Sequence, residues 1–275
     1  MSSYAITGVS RGIGWEFLRQ LSANPANTVI GIVRDKAGTD KHVAEELSDR
    51  KNIHIVQGDL TDYASLQSAA AETARITGGS LDYLIANAAL LTTFDAFDPI
   101  NELATNQKEA FDKFLLDSYK INTIGNIHLF SLFTPLILKG TVKKVIHISS
   151  GHADPEWIND LPISTSAGYA IVKAATNIAT AKFAAQYGKH TDGVLFMSIC
   201  PGATATDTFG SLTEEQQKAM QPMFEAFAKY APPTFKGPRQ PEDSVRDVLR
   251  VIEQSTVEKD GATFVSHRGD NMWLS

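Results

Sequence analysis

Tyr169 and Lys173 are four residues apart, which on a helix sets a phenol and an ammonium one turn apart on the same face. A free phenol loses its proton near pH ~10, too high for easy proton exchange at neutral pH. A nearby cation favours the phenolate, so we expect Lys173 to lower the pKa of Tyr169. A phenol tuned in this way can act as a general acid toward an oxygen that gains negative charge. Tyr169 is the only tyrosine in the sequence with a lysine four residues on.

Polar side chains at two other places could serve the same chemistry. Ser149 and Ser150 follow residues 144–148, an apolar run typical of a buried strand. A serine hydroxyl at the end of such a strand can stabilise charge on a substrate oxygen, and capping of the strand end is the alternative. Asn122 lies within a predicted helix, where asparagine costs helical propensity and therefore needs a reason. An exposed, neutral asparagine is the alternative there.

A glycine-rich stretch, Thr7-Gly8-Val9-Ser10-Arg11-Gly12-Ile13-Gly14, joins the first predicted strand to the first predicted helix. Its glycines permit a tight turn and let backbone N–H groups approach a phosphate without a Cβ in the way. The N-terminus of the following helix adds a partial positive charge. The stretch therefore predicts a site for a dinucleotide pyrophosphate, with a purely structural glycine turn as the alternative.

The elements that must hold these groups alternate along the chain. Short β-branched runs predict strands at about 3–7, 29–33, 53–57, 81–86, 144–148, 194–199 and 262–266. Amphipathic stretches predict helices at 13–21, 66–76, 109–132, 167–187 and 244–254, with Pro135 kinking or ending the third. This alternation is typical of an α/β fold: a doubly wound, Rossmann-type parallel sheet of about seven strands with helices on both faces. We expect residues 1–275 to form one such domain.

The spacing Gly-x-x-x-Gly-x-Gly resembles the cofactor loop of the short-chain dehydrogenase/reductase family. Further matches follow in the family's order along nearly the whole chain: Asp59-Leu60, Asn87-Ala88-Ala89, Asn122, Ser149-Ser150, Tyr169-x-x-x-Lys173, Pro201-Gly202 and Thr206. Within the family, the Tyr169–Lys173 pair and the stretch 237–245 make the chain most similar to the sniffer-like carbonyl reductases. The resemblance implies hydride transfer between a nicotinamide cofactor and a ketone or aldehyde, with Tyr169 as proton donor.

The resemblance also assigns roles to the matched residues. It implies that Asp59-Leu60 contacts adenine, that Thr206 contacts the carboxamide and that Lys173 also holds the nicotinamide ribose. It implies that Asn122 shapes its helix and holds a water that relays protons to the lysine. Ser150, the second of the serine pair, is the expected catalytic serine. The cofactor site implied in this way comprises Thr7, Gly8, Ser10, Arg11, Gly12, Ile13, Gly14, Asp59, Leu60, Asn87, Tyr169, Lys173, Pro201, Gly202 and Thr206.

The end of the second strand distinguishes the two nicotinamide cofactors. An NAD site places a carboxylate there for the ribose 2′-hydroxyl, whereas the 2′-phosphate of NADP needs a cation. Val33 stands where that acid would be, and Arg34 follows it and can grip a phosphate bidentately. Arg11 in the glycine loop can support the same phosphate. Asp35 can face the ribose or neutralise Arg34, but on charge we predict NADP(H), bound in part by Arg34.

Residues 202–241 interrupt the alternation with several glycines and prolines around a helical stretch at 213–230. An interruption of this length in an α/β domain usually forms a functional loop, so we expect a substrate-binding lid; an exposed insertion is the alternative. Together with residues 153–167, it should line the substrate pocket. Large apolar side chains there predict an apolar carbonyl substrate. They are Trp157, Phe209, Met220, Met223 and Phe224.

Composition and charge argue against several other function classes. A net charge of −6 and a pI near 5.6 disfavour a nucleic-acid surface. The single cysteine, Cys200, excludes an intrachain disulfide, and the seven histidines lack the spacing of metal ligands. Residues 3–7 resemble a strand rather than part of a signal sequence, and no apolar run is long enough to span a bilayer. We therefore expect a cytoplasmic protein without a metal site that binds neither membrane nor nucleic acid.

Two other functions fit parts of the pattern. A catalytically silent NADP(H)-binding sensor or scaffold would keep the glycine loop, but four catalytic residue types at matching places argue against it. A nucleotide-sugar epimerase shares the Tyr-Lys pair, but its longer C-terminal substrate domain is missing from this pattern. By resemblance we also expect a homodimer or homotetramer, formed through the helices at 104–132 and 167–187.

Overall fold

Seven strands form one sheet in the computed structural model, which describes residues 1–206, 213–230 and 235–274. The strands are β1 (Ser3–Thr7), β2 (Thr28–Val33), β3 (Ile53–Gln57), β4 (Tyr83–Ala86), β5 (Lys144–Ile148), β6 (Leu195–Cys200) and β7 (Phe264–Ser266). Their order is β3-β2-β1-β4-β5-β6-β7, and all neighbours run parallel. The predicted seven-stranded parallel sheet is confirmed.

Helices cover both faces of this sheet. They are α1 (Gly12–Ser22), α2 (Lys36–Glu46), α3 (Tyr63–Thr77), α4 (Ile100–Asn106), α5 (Lys108–Tyr119), α6 (Gly125–Ile137), α7 (Pro155–Asp160), α8 (Ala167–Tyr187), α9 (Glu214–Tyr230), α10 (Pro241–Gln254) and α11 (Val257–Asp260). Helices α3, α6 and α8 contribute to one core, for example through Leu66 and Phe130. Helices α1 and α10 contribute to the other core, through Phe17 and Val248. The doubly wound, single-domain architecture is therefore confirmed.

Strand β5 illustrates why a buried strand is a continuous apolar run. Val145 belongs to one core and Ile146 to the other, because successive side chains point to opposite faces. Lys144 begins the strand and is buried, and its ammonium donates hydrogen bonds to the carbonyls of Ile252 (2.6 Å) and Ser255 (2.8 Å). The last carbonyls of a helix lack partners within it, so a cation at the end of α10 is favourable. This contact ties the strand that leads into the serine pair to α10.

The helix predicted at 109–132 is divided in the structure. Helix α5 is followed by a π-helical turn over Lys120–Ile124, after which α6 continues. Pro135 lies inside α6 and does not end it, since the helix runs on to Ile137. The π-helical turn contains Asn122, and such turns occur frequently at functional sites.

The interruption at 202–241 contains α9, where the sequence predicts a helical stretch. Helix α9 packs through a small apolar cluster against the loop after β5 and the end of the chain. The buried members of this cluster are Leu161, Ile163, Phe227 and Leu274. Beyond α9, the backbone N–H of Arg239 donates to the carbonyl of Ala203 at 2.8 Å, which fixes the segment that leaves β6. Both contacts bring residues of the interruption to the carboxyl edge of the sheet.

Candidate active site

A cavity of about 900 Å³ opens at the carboxyl edge of the sheet, where the strand order reverses between β1 and β4. Doubly wound sheets bind their ligands at this position. Most of the predicted cofactor residues line the cavity: Thr7, Gly8, Ser10, Arg11, Gly12, Ile13, Gly14, Arg34, Asp59, Leu60, Asn87, Tyr169, Lys173, Pro201 and Thr206. Among the other predicted site residues, Asn122, Ser150 and Gly202 lie outside this lining.

The glycine loop leaves room for a phosphate at the start of α1. Gly8 has a φ of +76°, and a Cβ there would lie 2.9 Å from the Cα of Ala88. A Cβ on Gly14 would collide with the carbonyl oxygen of Gly8, so only glycine fits at either position. The N-terminus of α1 has no side-chain cap and no acidic residue in its first turn. A helix start of this kind accepts an anion, and the loop therefore fits a dinucleotide pyrophosphate.

Thr7 and Asn87 hold the glycine loop against the end of β4. The Thr7 hydroxyl oxygen accepts hydrogen bonds from the backbone N–H groups of Asn87 and Ala88, both at 3.0 Å. In return, the Asn87 amide donates to the carbonyl of Thr7 at 3.0 Å. These three bonds fix the distance between the two strands that flank the cavity.

Two exposed arginines line the cavity: Arg34, which follows β2, and Arg11 in the glycine loop. Arg11 and Arg34 are exposed, and neither guanidinium has a hydrogen bond or ion pair within the described part of the chain. Asp35 accepts the backbone N–H of Gly38 at 2.9 Å and so caps α2. The carboxylate of Asp35 is therefore engaged with the start of its own helix, while both guanidinium groups remain available to an anion.

The remaining cofactor residues are spread along the cavity. Asp59 accepts hydrogen bonds from the backbone N–H and the hydroxyl of Thr61, both at 2.8 Å. Thr206 approaches the glycine loop, with its Cγ2 atom 3.7 Å from where a Cβ on Gly12 would lie. Gly202 has a φ of +78°, which favours glycine, and turns the chain between β6 and Thr206.

Helix α8 places Tyr169 and Lys173 together at the cavity, as their spacing predicts. The hydroxyl of Ser150, just beyond the end of β5, is close enough to the Tyr169 phenol to lower its pKa. The Lys173 ammonium donates a 2.6 Å hydrogen bond to the carbonyl of Ile148 and lies 5.7 Å from the centre of the Tyr169 ring. A phenol, a second hydroxyl and a cation thus converge, and such a set can hold an oxygen and donate a proton to it.

Burial sets the proton affinities of this pair. Burial raises the pKa of the Tyr169 phenol above its ordinary value, and the nearby Ser150 hydroxyl lowers it only in part. Lys173 is only 3% exposed, and burial lowers its pKa to about 8. The predicted lowering of the Tyr169 pKa by Lys173 is therefore wrong, because burial sets the direction of the shift. At neutral pH the phenol keeps its proton, as a proton donor must.

The two serines after β5 have different surroundings. Ser149 lines the cavity, and its buried hydroxyl oxygen has no hydrogen-bond partner among the described residues. The Ser150 hydroxyl accepts the backbone N–H of His152 at 3.3 Å and is close enough to the Tyr169 phenol to lower its pKa. Ser150 as the catalytic serine stays a prediction, and Ser149 leaves its hydroxyl available to a ligand in the cavity.

Asn122 acts on the segment that follows β4. Its side-chain oxygen accepts the backbone N–H of Leu90 at 2.7 Å, and its side-chain nitrogen donates to the Leu90 carbonyl at 3.0 Å. The main-chain carbonyl of Asn122 accepts the hydroxyl of Thr176 on α8 at 2.9 Å. Asn122 is buried, so the alternative of an exposed, neutral asparagine is wrong. It links the cavity wall at Leu90 to the helix that carries Tyr169.

The predicted substrate-pocket residues gather where α7 meets α9. The rings of Trp157 and Phe227 lie 5.9 Å apart and join the two helices. Of the five predicted lining residues, Met220 is buried, Trp157 and Met223 are half-buried, Phe224 is exposed and Phe209 lies outside the described residues. The four described residues lie outside the lining of the 900 Å³ cavity, so an apolar substrate pocket here stays a prediction.

Comparison with known proteins identifies the family to which this chain belongs. A family model described as short chain dehydrogenase matches residues 3–217. The chain belongs to the short-chain dehydrogenase family. The family resemblance predicted from the sequence is confirmed, and with it an oxidoreductase function.

Relatives and solved structures agree with this short-chain dehydrogenase assignment. The chain is 52% identical over 275 residues to the short chain dehydrogenase virK of Hypocrea virens, and 46% identical over 276 residues to the short-chain dehydrogenase/reductase iacC of Pestalotiopsis fici. Both alignments cover 100% of each chain. The fold is shared with an NADPH-bound carbonyl reductase from chicken fatty liver (24% identity) and with the carbonyl reductase Sniffer of D. melanogaster (21%). Each has a TM-score of 0.76 and matches over 98% of both chains.

The dehydrogenase site also contains residues that sequence reasoning missed. Leu90, Leu91 and Ile121 line the cavity, and the first two follow directly on the segment that contains Asn87. The position of Leu90 and Leu91 after a predicted strand was the available signal, since ligands bind outside the carboxyl ends of strands. No comparable signal points to Asp95, which contacts the start of α8 from another part of the chain.

Other features of this short-chain dehydrogenase bear on metals and membranes. Among the described residues, no group of three or more His, Cys, Asp or Glu side chains is placed to hold a metal ion. No helix within the described ranges has the length and apolar character needed to cross a membrane. Cys200 is a free, buried thiol whose sulfur accepts the backbone N–H of Gly151 at 3.1 Å.

Proposed function

We propose that this short-chain dehydrogenase is an NADP(H)-dependent carbonyl reductase, which transfers a hydride between the nicotinamide and a ketone or aldehyde. The proposal depends chiefly on helix α8, where the Lys173 ammonium lies 5.7 Å from the centre of the Tyr169 ring and the Ser150 hydroxyl lowers the pKa of the phenol. Tyr169 and Lys173 line a cavity whose glycine loop fits a dinucleotide. One solved structure with the same fold is an NADPH-bound carbonyl reductase, which supports the proposal.

The chain's own residues handle the proton. When bound, the cofactor supplies the hydride. The Tyr169 and Ser150 hydroxyls hold the carbonyl oxygen by hydrogen bonds, and Tyr169 donates its proton as negative charge develops there. The raised pKa of Tyr169 keeps the phenol protonated until that point. Lys173, with its pKa at about 8, is charged at neutral pH and stabilises the phenolate that remains.

Asn122 serves this chemistry as a positioning residue. Its side chain fixes the backbone of Leu90 in the cavity wall, and its carbonyl is bonded to Thr176 on the helix that carries Tyr169. The family role of holding a water for Lys173 stays a prediction.

The choice of NADP(H) over NAD(H) depends on charge. Arg11 and Arg34 line the cavity without internal partners among the described residues, whereas Asp35 is engaged as the cap of α2. A 2′-phosphate at the end of β2 would meet the Arg34 guanidinium, and Arg11 of the glycine loop is a second candidate partner. The proposed cofactor set comprises Thr7, Gly8, Ser10, Arg11, Gly12, Ile13, Gly14, Arg34, Asp59, Leu60, Asn87, Tyr169, Lys173, Pro201, Gly202 and Thr206.

The substrate is proposed to be an apolar carbonyl compound. It would enter between the loop after β5 and the lid predicted at 202–241, where α9 packs on the apolar cluster around Phe227. Trp157 and Met223 are half-buried in this region and offer apolar surface. The lid itself and the cytoplasmic location stay predictions.

We also propose that two copies of the chain associate through α5 and α8. These helices pack side by side, and each exposes a large apolar residue: Leu116 on α5 is 72% exposed and Ile178 on α8 is 66% exposed. Apolar side chains on neighbouring outer helices are typical of an interface. Both residues lie on helices that the sequence predicts to form the interface of a homodimer or homotetramer.

Absorbance measurements of NADPH oxidation with a panel of aliphatic and aromatic ketones and aldehydes test the enzymatic proposal. We expect carbonyl-dependent oxidation of NADPH that is faster than oxidation of NADH. Calorimetric titration with NADPH distinguishes the alternative function: a silent sensor or scaffold would bind NADPH but reduce no carbonyl and oxidise no alcohol in the panel. That outcome would overturn the proposed reductase.

A further inference from the structure

Asp95 lies in the segment between β4 and α4 and contacts the first turn of α8. It is 1% exposed, and its Oδ2 atom accepts the backbone N–H of Tyr169 at 3.1 Å. The backbone N–H of Gly168 lies near this carboxylate and lowers its pKa. The main-chain carbonyl of Asp95 in turn accepts the N–H of Ser166 at 2.6 Å. Two hydrogen bonds therefore join Asp95 to the start of the helix that carries the proton donor.

Helix α8 lacks a cap of its own. The residue at its N-cap position, Ser166, has a left-handed backbone with a φ of 57° and makes no capping hydrogen bond through its side chain. The first turn of α8 contains no acidic residue. The first N–H groups of a helix need acceptors, and a negative charge near them is favourable. Asp95 supplies both from a different segment.

The fit around Gly168 shows that this contact allows little movement. A Cβ on Gly168 would lie 2.5 Å from the Cε1 atom of Phe114 and 3.3 Å from Oδ2 of Asp95. The ring of Phe114 is held by Phe94, with ring centres 5.2 Å apart. The residue before Tyr169 is thus enclosed between an aromatic ring and a carboxylate.

We propose that Asp95 is a positioning residue for the proton donor: its carboxylate caps α8 at the backbone N–H of Tyr169, beside Gly168, and fixes where the Tyr169 hydroxyl lies. This inference deepens the proposed function and rests on Tyr169 as the proton donor. None of the family motifs in the sequence includes Asp95. A displacement of about 1 Å at a reacting group can lower turnover on the order of 10²-fold, so fixing the backbone of Tyr169 affects the rate directly.

The charge of Asp95 has a second effect at the phenol. The groups that influence the phenol are the hydroxyl of Ser150 beyond β5, the thiol of Cys200 on β6, Lys173 on α8 and Asp95. A negative charge favours the protonated form of its neighbours, and Asp95 raises the pKa of Tyr169. Because the Lys173 ammonium lies 5.7 Å from the centre of the Tyr169 ring, a nearby negative charge favours the protonated forms of both groups. Removing the carboxylate should therefore move the alkaline limb of the reductive activity to lower pH.

The test compares Asp95→Ala and Asp95→Asn with Asp98→Asn, a carboxylate in the same segment that makes no contact with α8 among its described hydrogen bonds. We expect Asp95→Ala to lower kcat by about 10- to 100-fold with the Kd for NADPH within about twofold. Asp95→Asn keeps one acceptor oxygen, so its kcat should be intermediate. In both variants the alkaline limb should lie at lower pH, and Asp98→Asn should match the wild type.

Hydrogen exchange gives a readout that needs no turnover. The amides of Gly168 and Tyr169 should exchange faster in Asp95→Ala than in the wild type, and Asp98→Asn should leave them unchanged. The role of Asp95 would be overturned by any of three results. These are unchanged exchange of these amides in Asp95→Ala, a wild-type kcat in Asp95→Ala, or an alkaline limb of Asp95→Asn that stays at the wild-type pH. Wild type and Tyr169→Phe are measured in the same assay. If the wild type is inactive or Tyr169→Phe is fully active, the proposed function fails, and the exchange data still decide whether Asp95 caps α8.

Discussion

The indole N–H of Trp273 donates a 2.7 Å hydrogen bond to Oδ2 of Asp154, which joins the end of the chain to the loop after β5. The other oxygen of Asp154 accepts the backbone N–H groups of Glu156 and Trp157 and so caps α7. Gly151 lies against Trp273, since a Cβ on Gly151 would be 2.8 Å from the Trp273 Cβ. One carboxylate thus connects the C-terminal residues to the wall of the proposed substrate pocket.

Trp273→Phe should loosen this wall without affecting the cofactor site. Phenylalanine can keep the stacking on Phe264, whose ring centre lies 4.3 Å from that of Trp273, but it cannot donate to Asp154. We expect the free energy of unfolding to fall by about 1–3 kcal/mol. The kcat/KM for carbonyl substrates should fall, while the Kd for NADPH stays within about twofold. Urea denaturation and steady-state kinetics measure both, with the half-exposed neighbour Met272→Ala as control.

A larger change in the Kd for NADPH than in the carbonyl KM would contradict this division of roles. It would show that Trp273 supports the cofactor cavity rather than the loop capped by Asp154.

Tyr169→Phe should keep the fold and NADPH binding but lower kcat by about 10²–10⁴-fold, because it removes the proton donor and leaves the ring in place. Stopped-flow and steady-state assays with the best carbonyl of the panel provide the measurement. The control is Tyr63→Phe, which removes a hydroxyl from a half-exposed tyrosine at the start of α3. Retention of more than about a tenth of wild-type turnover by Tyr169→Phe would exclude a proton-donor contribution of the usual size.

The reductive activity should decline as the pH rises through about 8. Burial lowers the pKa of Lys173 to about 8, so its ammonium loses its proton there rather than near the ordinary lysine value. The protonated form is the active one, because its charge stabilises the phenolate of Tyr169. Values of kcat/KM across the neutral and alkaline range test this, with stability at each pH checked by circular dichroism. Residual activity of Lys173→Arg should lack this limb, since arginine stays charged. Rising wild-type activity through this range would contradict the role given to Lys173.

Leu116→Glu and Ile178→Glu should each convert a dimer into a monomer. At an interface formed by α5 and α8, a glutamate at either position would lose its contact with water. Burying this unpaired charge costs free energy and disfavours association. Light scattering at micromolar concentration should give twice the chain mass for the wild type and the single mass for both variants. Ile100→Glu, a half-exposed position on α4, should leave the wild-type mass unchanged. A monomeric wild type would overturn the proposed interface.

Local patterns explain which elements the sequence predicts. The strands could be predicted because burial on both faces makes them apolar runs, as in β5, where Val145 and Ile146 face opposite cores. Helix α2 could not be predicted from such a pattern, since Thr39 is its only buried residue and it has no apolar stripe. Helices α4 and α7 are seven and six residues long, too short for a clear period.

Local patterns likewise predict only part of the candidate site. The glycine loop and the Tyr169–Lys173 pair are local motifs, so their spacing predicts their geometry. Asp95 and Trp273 act across long separations: Asp95 contacts an amide 74 residues away, and Trp273 contacts a carboxylate 119 residues away. Only the folded chain brings such partners together. The pKa of Tyr169 also depends on burial, which the sequence pattern does not measure.

Cofactor preference should depend on Arg34. Arg34→Asp removes a cation from the end of β2 and places a second carboxylate beside Asp35. A charge-assisted hydrogen bond contributes about 1.5–3 kcal/mol, so its loss should weaken NADPH binding by about 10- to 100-fold. Repulsion between the new carboxylate and the 2′-phosphate should add to that loss. NADH lacks the phosphate, so its binding should change little.

The decisive measurement is the ratio of kcat/KM for NADPH to that for NADH, in the wild type and in Arg34→Asp. Lys41→Asp makes the same charge change at an exposed position on α2 and should leave the ratio unaltered. Because Arg34 is exposed, salt screens its attraction to a phosphate. The wild-type preference for NADPH over NADH should therefore also weaken as ionic strength rises. A wild-type ratio below one would exclude NADP(H) as the preferred cofactor. A high ratio that Arg34→Asp leaves unchanged would move the phosphate contact to Arg11, the other exposed arginine that lines the cavity, and Arg11→Asp should then reduce the ratio.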